Sequence, residues 1–344
     1  MVTEGPLQDS FGRIASDLRI SLVDKCNLRC TYCMPEAGMV WLKKSSLLTA
    51  AEAIRLADIG VSRLGITDIR FTGGEPLIRR DLEEIIAGVR ALHPEIPVAI
   101  TTNAIGLEAR VEGLKAAGLS RINVSLDTVN REDFAAVTRR DRLGDVIRGI
   151  EAAKDAGLEP VKVNAVMMRG INDAHAPELL EWCLRRGLQL RFIEQMPLDA
   201  DHNWAKENLV SGAELRARLG ERFLLTEHAA PRGSSPAQLW DVRGADGGPI
   251  LGQVGIIASV TESFCAQCSR TRITAEGTIR SCLFSHEETS LLELLRDGSS
   301  DEAIARRWRE AMWAKPRAYG SNKVTSLGSP SFVQPDRTMS AIGG

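Results

Sequence analysis

Residues 18–33 read LRISLVDKCNLRCTYC, an apolar and β-branched run that leads directly into three closely spaced cysteines. The run predicts a strand over residues 18–23, and the spacing Cys26-x3-Cys30-x2-Cys33 places three thiols on the loop after it. In α/β barrels, the loops that follow the strands carry the functional residues. This stretch therefore predicts the first strand of an α/β sheet with a functional loop at its end.

Between residues 17 and 196, strand-like runs alternate with amphipathic helical segments, as in a parallel sheet built from βα units. The predicted strands cover residues 18–23, 68–72, 98–102, 121–126, 162–166 and 189–194. The predicted helices cover residues 50–59, 81–92, 107–117, 143–156 and 176–186, and several should end at Gly60, Gly118, Gly157 or Gly187. Six units are too few for the usual eight-stranded barrel, so we expect an α/β fold with an incomplete (β/α)6 TIM-like barrel, open on one side.

After Pro197 the pattern changes to short strands and loops, with a Gly/Pro/Ser-rich stretch at residues 231–236 and a loop at 243–249. We therefore expect two domains, a partial barrel over residues 1–196 and a smaller module over residues 197–344. In the second we expect a hairpin turn at residues 275–277 and helices near 290–296 and 301–314. Beyond Pro316 the sequence lacks helical or strand periodicity.

The composition narrows the class of protein. The chain has 344 residues, 44% of them hydrophobic, and no apolar run near the roughly 20 residues that a membrane span needs. A formal net charge of −2 provides no general attraction to nucleic acid or to anionic membranes, so a phosphate ligand needs local cations. We expect a cytoplasmic protein that binds neither nucleic acid nor a membrane.

A second group of three cysteines, Cys265-x2-Cys268-x13-Cys282, lies in the C-terminal region. Thiolate is a soft, anionic ligand that suits iron–sulfur clusters. Four thiolates complete the coordination of a four-iron cluster, whereas three leave one iron free to bind a substrate. Two groups of three cysteines therefore favour two clusters, each able to bind a ligand.

Other roles for the cysteines remain open at this stage. Cys265, Cys268 and Cys282 together with His286 match a Cys3His structural zinc site. Disulfides are disfavoured because no signal peptide opens the chain and the spacing suits closed bridges poorly. Cys183 follows a helical pattern of apolar residues, which indicates an inert buried thiol.

The first cysteine group, with Tyr32 before its last cysteine, resembles the cluster loop of radical S-adenosylmethionine enzymes. Gly73-Gly74-Glu75-Pro76, one βα unit later, resembles the second motif of that superfamily, which approaches the methionine moiety. The resemblance implies that the open iron chelates S-adenosylmethionine, which is cleaved to a 5′-deoxyadenosyl radical. Glycines allow the backbone to come close, and an acid can accept a hydrogen bond from the ammonium group of the ligand.

The second group, with Arg270-Thr271-Arg272 between its cysteines, narrows the resemblance to the GTP 3′,8-cyclase family of molybdenum cofactor biosynthesis. That resemblance implies two [4Fe-4S] clusters, the second of which contacts guanine. It also implies removal of the ribose C3′ hydrogen of GTP and attack of the carbon radical on C8. The product would be (8S)-3′,8-cyclo-7,8-dihydroguanosine 5′-triphosphate.

The same resemblance assigns ligand contacts. For S-adenosylmethionine they are Tyr32, Gly74, Glu75, Ser125 and Met196, and for GTP they are Arg19, Arg70, Thr101, Lys162, Arg270, Thr271 and Arg272. Gly343 and Gly344 match a double-glycine tail that is thought to reach the active site. Taken alone, each cation is better explained as a surface charge or a salt-bridge partner. A charge on a strand that points inward, however, needs an anionic partner in the barrel lumen.

The resemblance also implies partners: an electron donor, and a cyclic pyranopterin monophosphate synthase that receives the product. We expect a monomer or homodimer. The nearest enzymatic alternative is a radical S-adenosylmethionine maturase of peptides or sulfatases, although such enzymes generally carry more cysteines. A zinc-stabilised RNA-binding module explains the second cysteine group but leaves the first group and Gly73-Gly74-Glu75-Pro76 unexplained.

Overall fold

The computed structural model describes residues 4–323 and 325–342. Its strands are β1 (Leu7–Gln8), β2 (Ile14–Ala15), β3 (Asp17–Ser21), β4 (Asp68–Thr72), β5 (Val98–Thr102), β6 (Arg121–Ser125), β7 (Val161–Met167), β8 (Gln189–Glu194), β9 (Phe223–Glu227), β10 (Gln238–Gly244), β11 (Ile250–Ile257), β12 (Arg270–Ile273), β13 (Thr278–Arg280) and β14 (Thr289–Ser290). Its α-helices are α1 (Ala50–Leu64), α2 (Leu82–Leu92), α3 (Val111–Ala116), α4 (Arg131–Thr138), α5 (Leu143–Asp155), α6 (Ala176–Arg185), α7 (Gly212–Gly220), α8 (Leu292–Arg296), α9 (Asp301–Trp313) and α10 (Met339–Ile342).

In the described part of the chain, one twelve-stranded sheet has the order β14-β13-β12-β3-β4-β5-β6-β7-β8-β11-β10-β9. Strands β3 to β8 are adjacent and parallel, in chain order. The C-terminal region adds β12 beside β3 and β11 beside β8, again parallel. The result is an α/β fold with a partial, barrel-like sheet whose two edges come from the C-terminal region.

The strands of the first region follow the predicted positions closely. Strands β4, β5 and β8 have the predicted bounds, and the others differ by one or two residues at an end. The predicted hairpin joins β12 to β13, with Gly277 at φ 73° in its turn. Helices α8 and α9 lie where two helices were predicted.

The expected end of α1 at Gly60 is wrong. The helix begins at a capping box between Thr49 and Glu52 and continues to Leu64, where Gly65 ends it at φ 75°. Gly60 lies inside the helix because its backbone packs against Leu18 and Ile66, and an added Cβ would come within about 3.3 Å of both. Here glycine serves close packing, whereas Gly118, Gly157 and Gly187 do follow helix ends with positive φ.

Regular structure also exists beyond Pro316. The short helix α10 places Ile342 in a buried cluster with Leu198, Phe284, Tyr319 and Leu327. A four-residue helix has too short a period to detect in sequence, and tertiary packing holds it in place. Among the described residues, no helix has the length and apolar character to cross a membrane.

Glu194, at the end of β8, ties the barrel to the loop that carries the second cysteine group. Its buried carboxylate accepts hydrogen bonds from the backbone N–H of Gly212 (2.7 Å), from that of Val260 (2.8 Å) and from both the N–H and the hydroxyl of Thr261. Bonds to a charged acceptor are stronger than neutral ones. This carboxylate therefore fixes α7 and residues 260–261 against the sheet.

We predict that Glu194→Gln lowers the free energy of unfolding by about 2 kcal/mol, because it removes the charge and turns an amide NH2 toward donors. Urea denaturation followed by circular dichroism measures the change. Glu227→Gln, an exposed carboxylate at the end of β9, is the matched control and should leave stability within about 0.5 kcal/mol. Equal effects of the two substitutions would contradict the role given to Glu194.

Candidate active site

All six clustered cysteines line one cavity of about 300 Å³ inside the partial barrel. Most residues predicted from the sequence to bind ligands also line it: Arg19, Tyr32, Arg70, Gly74, Glu75, Thr101, Ser125, Met196, Arg270 and Arg272. The fold therefore brings into one chamber predicted site residues that are far apart in the chain, such as Arg19 and Cys282, which are separated by 263 positions.

Gly73 and Gly74 are required by the close approach of two backbones. A Cβ on Gly73 would lie 2.4 Å from the carbonyl oxygen of Val23, and one on Gly74 would lie 2.2 Å from that of Lys25. The N–H of Gly74 donates to Val23 O (2.7 Å) and that of Glu75 to Lys25 O (2.8 Å). This contact positions the first cysteine loop against the end of β4, where any side chain would push it away.

The side chain of Glu75 connects the ends of two neighbouring strands. It is only 1% exposed, and its carboxylate accepts from Leu77 N–H (2.9 Å), the Thr102 hydroxyl (2.7 Å) and Asn103 N–H (2.7 Å). Burial raises its pKa to about 7, an effect that these donors partly oppose. Within the described residues, its hydrogen bonds therefore hold the loops after β4 and β5 together at the cavity wall.

The first cysteine group is held in a protonated state by its surroundings. Burial raises the pKa of Cys26 to about 11 and that of Cys33 to about 12, and it raises that of Cys30 well above its usual value. Tyr32 donates from its hydroxyl to Asp127 (2.9 Å) beside them. Metal binding at this loop must therefore release protons, because thiolate is the ligand.

The second cysteine group lies at the opposite end of the sheet from the first. Cys268 precedes Arg270, which pairs with Asp17 at the beginning of β3, whereas Cys26 follows the end of that strand. A five-residue strand spans roughly 13–17 Å. The cavity thus runs the length of β3, with three thiols at each end.

Cys268 differs from the first group in acidity. Burial raises its pKa, but Lys315 and Arg270 overcome this effect and lower the pKa to about 5. The Lys315 ammonium donates to Cys268 Sγ (3.3 Å) and to Arg270 O (2.7 Å). Arg13 supports the same loop from outside, since its guanidinium donates to Cys265 O (2.8 Å). Cys268 is therefore a thiolate at neutral pH.

Arginines fill the middle of the cavity. Arg272, Arg19 and Arg70 are in register on three adjacent strands, so their side chains form one row. The Nε of each has no hydrogen-bond partner among the described residues. Burial, together with the neighbouring arginines, lowers the pKa of Arg19 to about 10 and that of Arg272 to about 9. The row is poorly compensated and attracts an anion.

Arg191 is a cavity residue that the sequence argument missed. It lies on β8 in register with Asn164, and Gly255 on β11 makes room for it, since a Cβ there would lie 3.0 Å from Arg191 Cγ. The sequence does contain a pattern that indicates an inward-facing arginine at this position. Gln189-Leu190-Arg191-Phe192 alternates polar and apolar residues, as Asp17-Leu18-Arg19-Ile20 does.

Two predicted GTP contacts do not line the cavity. Thr271 is fully buried and its hydroxyl accepts from the Trp308 indole N–H (3.0 Å), on the side of β12 that faces α9. Lys162 lies on β7 in register with Gln189, and burial, followed by Arg191, lowers its pKa to about 8. Their roles remain predictions.

The predicted catalytic residues Gly343 and Gly344 lie outside the described residues. The preceding segment reaches the site, since Met339 and Ser340 line the cavity. Ser340 lies beside Cys33, and its polar groups partly oppose the effect of burial, which raises the pKa of that thiol. Cys183 is fully buried in α6, away from the cavity, and burial raises its pKa.

Comparison with known proteins places this geometry in a family. A model described as the Radical SAM superfamily matches residues 20–183, and one described as Molybdenum Cofactor Synthesis C matches residues 188–321. GTP 3′,8-cyclase of Paenarthrobacter nicotinovorans is 58% identical, over 98% of this chain and 97% of that protein. The enzyme of the same name from Mycolicibacterium smegmatis is 56% identical, over 99% and 92%. This chain belongs to the GTP 3′,8-cyclase family.

Solved structures support the fold of this cyclase family member. SuiB of Streptococcus suis matches with a TM-score of 0.55 at 17% identity, over 89% of this chain and 67% of SuiB. The structure of SuiB bound to S-adenosylmethionine matches with a TM-score of 0.52 at 17% identity. In that match the alignment covers 82% of this chain and 63% of SuiB, less than two thirds of its length. At this identity the likeness concerns the fold alone.

The donor sets fit the clusters that this cyclase family uses. Each end of the cavity offers three thiols, soft ligands that suit iron–sulfur clusters better than hard cations. Among the described residues, no three His, Cys, Asp or Glu side chains form a group that could hold a single metal ion. A cluster spreads its thiolate ligands wider than one ion does, so each triad fits a cluster better.

We predict that iodoacetamide at pH 7 labels Cys268 first in the reduced, iron-free protein, because Cys268 is ionised while Cys26 and Cys33 are protonated. Peptide mass spectrometry over a time course gives the order of labelling. Cys183 is the internal control and should remain unlabelled in the folded protein. Labelling of Cys26 and Cys268 at equal rates would contradict the predicted difference in acidity.

Proposed function

We propose that this chain is a radical S-adenosylmethionine enzyme that cyclises GTP to (8S)-3′,8-cyclo-7,8-dihydroguanosine 5′-triphosphate. The observation that carries the proposal is the single cavity with a cysteine triad at each end and a row of arginines between them. When bound, the first cluster and S-adenosylmethionine supply the 5′-deoxyadenosyl radical that removes the C3′ hydrogen. The residues of the chain bind, orient and enclose the reactants.

The arginines suit a nucleoside triphosphate. The carboxylates near Arg19 and Arg70 are those of Asp17 and Asp68, and Asp68 already forms an ion pair with Arg121. The arginines therefore outnumber their acidic partners. Phosphate oxygens accept bidentate hydrogen bonds from guanidinium groups, which satisfies the unpaired Nε atoms and restores lowered pKa values. We assign the triphosphate to Arg19, Arg70 and Arg191, with Lys162 as a further cation near Arg70 and Arg191.

The length of the cavity separates the two ligands. S-adenosylmethionine would lie at the first triad, beside Tyr32, Gly74, Ser125 and Met196, and the guanine at the second triad, beside Arg270 and Arg272. This arrangement puts the ribose of GTP between the phosphates and the base, facing the first triad. Enclosure by the barrel protects a radical from side reactions.

Finer structural assignments follow from this proposal. We describe residues 1–196 as an open (β/α)6 barrel and residues 197–344 as a module that carries the second cluster and completes the lumen. We assign a catalytic role to Gly343 and Gly344, since Met339 and Ser340 of the preceding segment line the cavity. Because glycine has no side chain, two successive glycines need little space beside bound substrates.

We also propose the surroundings of the enzyme. It would act in the cytoplasm, as a monomer or homodimer, with a one-electron donor that reduces the clusters. Its product would pass to a cyclic pyranopterin monophosphate synthase.

The decisive experiment is anaerobic turnover of the iron–sulfide-reconstituted protein with S-adenosylmethionine, a reductant and GTP deuterated at C3′. We expect deuterium in the released 5′-deoxyadenosine, because the radical removes that hydrogen. Mass spectrometry reads the label. Release of unlabelled 5′-deoxyadenosine would overturn C3′ abstraction, and no release with verified clusters would overturn the radical activity.

We predict that Cys282→Ser abolishes cyclisation of GTP yet retains cleavage of S-adenosylmethionine, because the two triads lie at opposite ends of β3. Product and 5′-deoxyadenosine are measured by chromatography in the same reaction. Cys183→Ser provides the control for removal of a thiol outside the cavity and should leave the iron content unchanged. Loss of both activities in Cys282→Ser would make the second triad a structural element.

A further inference from the structure

Lys315 is a buried cation without a carboxylate partner. It follows α9 and is only 3% exposed. Its ammonium donates to Cys268 Sγ (3.3 Å) and to Arg270 O (2.7 Å), and no carboxylate of the described residues forms an ion pair with it. Burying an unpaired ammonium is unfavourable, so the fold must provide an anion beside it.

The groups that compensate Lys315 are thiols of the second triad. Burial lowers the pKa of Lys315, Cys268 and Cys282 oppose that effect by favouring its charged form, and Arg13 adds to it. Arg13 itself is neutralised by Asp9, and its remaining hydrogen bonds within the described residues go to backbone carbonyl oxygens rather than to sulfur. Of these two cations, Lys315 alone places its charge on a ligand atom.

We propose that Lys315 is a positioning residue that raises the reduction potential of the second cluster, an inference that rests on the proposed function of that triad. Three thiolates around a doubly positive four-iron core leave a net negative charge, and reduction adds another. A fixed ammonium in hydrogen-bond contact with a ligand sulfur stabilises the reduced state more than the oxidised state. Hydrogen bonds to sulfur, net charge and burial are the factors that set such potentials.

The same contact couples the cluster to the substrate end of the cavity. Lys315 also donates a hydrogen bond to the carbonyl oxygen of Arg270. The side chain of Arg270 lines the cavity, and its Cζ lies 5.0 Å from the centroid of the Phe264 ring. Lys315 therefore acts with Arg270 to favour the thiolate of Cys268, and it also fixes the path of the backbone into β12. Loss of the charge and loss of the backbone contact can be separated by substitution.

The test compares Lys315→Met, Lys315→Gln and Lys315→Arg in the full-length chain with the first triad replaced by alanine, so that one cluster gives the signal. Redox titration followed by electron paramagnetic resonance measures the midpoint potential. At a fixed potential we expect an approximately tenfold lower ratio of reduced to oxidised cluster in the Met and Gln variants, a shift of about 59 mV to more negative values. The midpoint potential of Lys315→Arg should remain near that of the parent protein.

Lys323→Met, which removes an exposed lysine of the same region, is the matched control and should leave the midpoint unchanged. Unchanged midpoints in the Met and Gln variants would overturn the inference about Lys315 alone. Failure of both neutral variants to hold iron, with retention by Lys315→Arg, would support the role of the charge. Failure of all three variants to hold iron would overturn the inference and indicate that Lys315 serves only the packing of the fold. Absence of any cluster in the parent would overturn the proposed function and this inference together.

Discussion

Uncompensated positive charge in the barrel lumen is the constraint on which the rest of the structure depends. Arg19, Arg70 and Arg272 occupy one register row, where the guanidinium groups are partly or fully buried and share few acidic partners. Such a row is unfavourable in an empty, fully closed core, because buried cations need anions. It is tolerable where the lumen remains open to water and to an anionic ligand, and the open barrel provides that space.

The same constraint explains why the C-terminal region is built into the sheet. Strand β12 contributes Arg270 and Arg272 to the lumen, and β11 contributes Gly255, which leaves space for Arg191. A separately folded module could not place these residues in register with Arg19. The carboxylate of Glu194, bonded to residues 212, 260 and 261, joins the two regions at the end of β8, beside β11.

The two cysteine triads differ in their surroundings. Near Cys26 and Cys33, burial and neighbouring anions favour the thiol, whereas near Cys268 the cations Lys315 and Arg270 favour the thiolate. A cluster at the first end would thus lie in a region that disfavours added negative charge, and one at the second end would lie beside fixed positive charge. This difference in electrostatics agrees with the two tasks that we propose, radical generation at one end and substrate binding at the other.

The sequence by itself determined the six-strand alternation, both cysteine triads, the Gly73-Gly74-Glu75-Pro76 loop and most lumen arginines, because strand periodicity and ligand spacing are local properties. Only the tertiary structure decided that β12 and β11 flank the sheet, that the triads lie at opposite ends of β3, and that Gly60 lies inside α1. It also turned Thr271 toward Trp308 and brought Lys315 to Cys268. These contacts join residues 37 to 253 positions apart, and no local pattern encodes a partner at that distance.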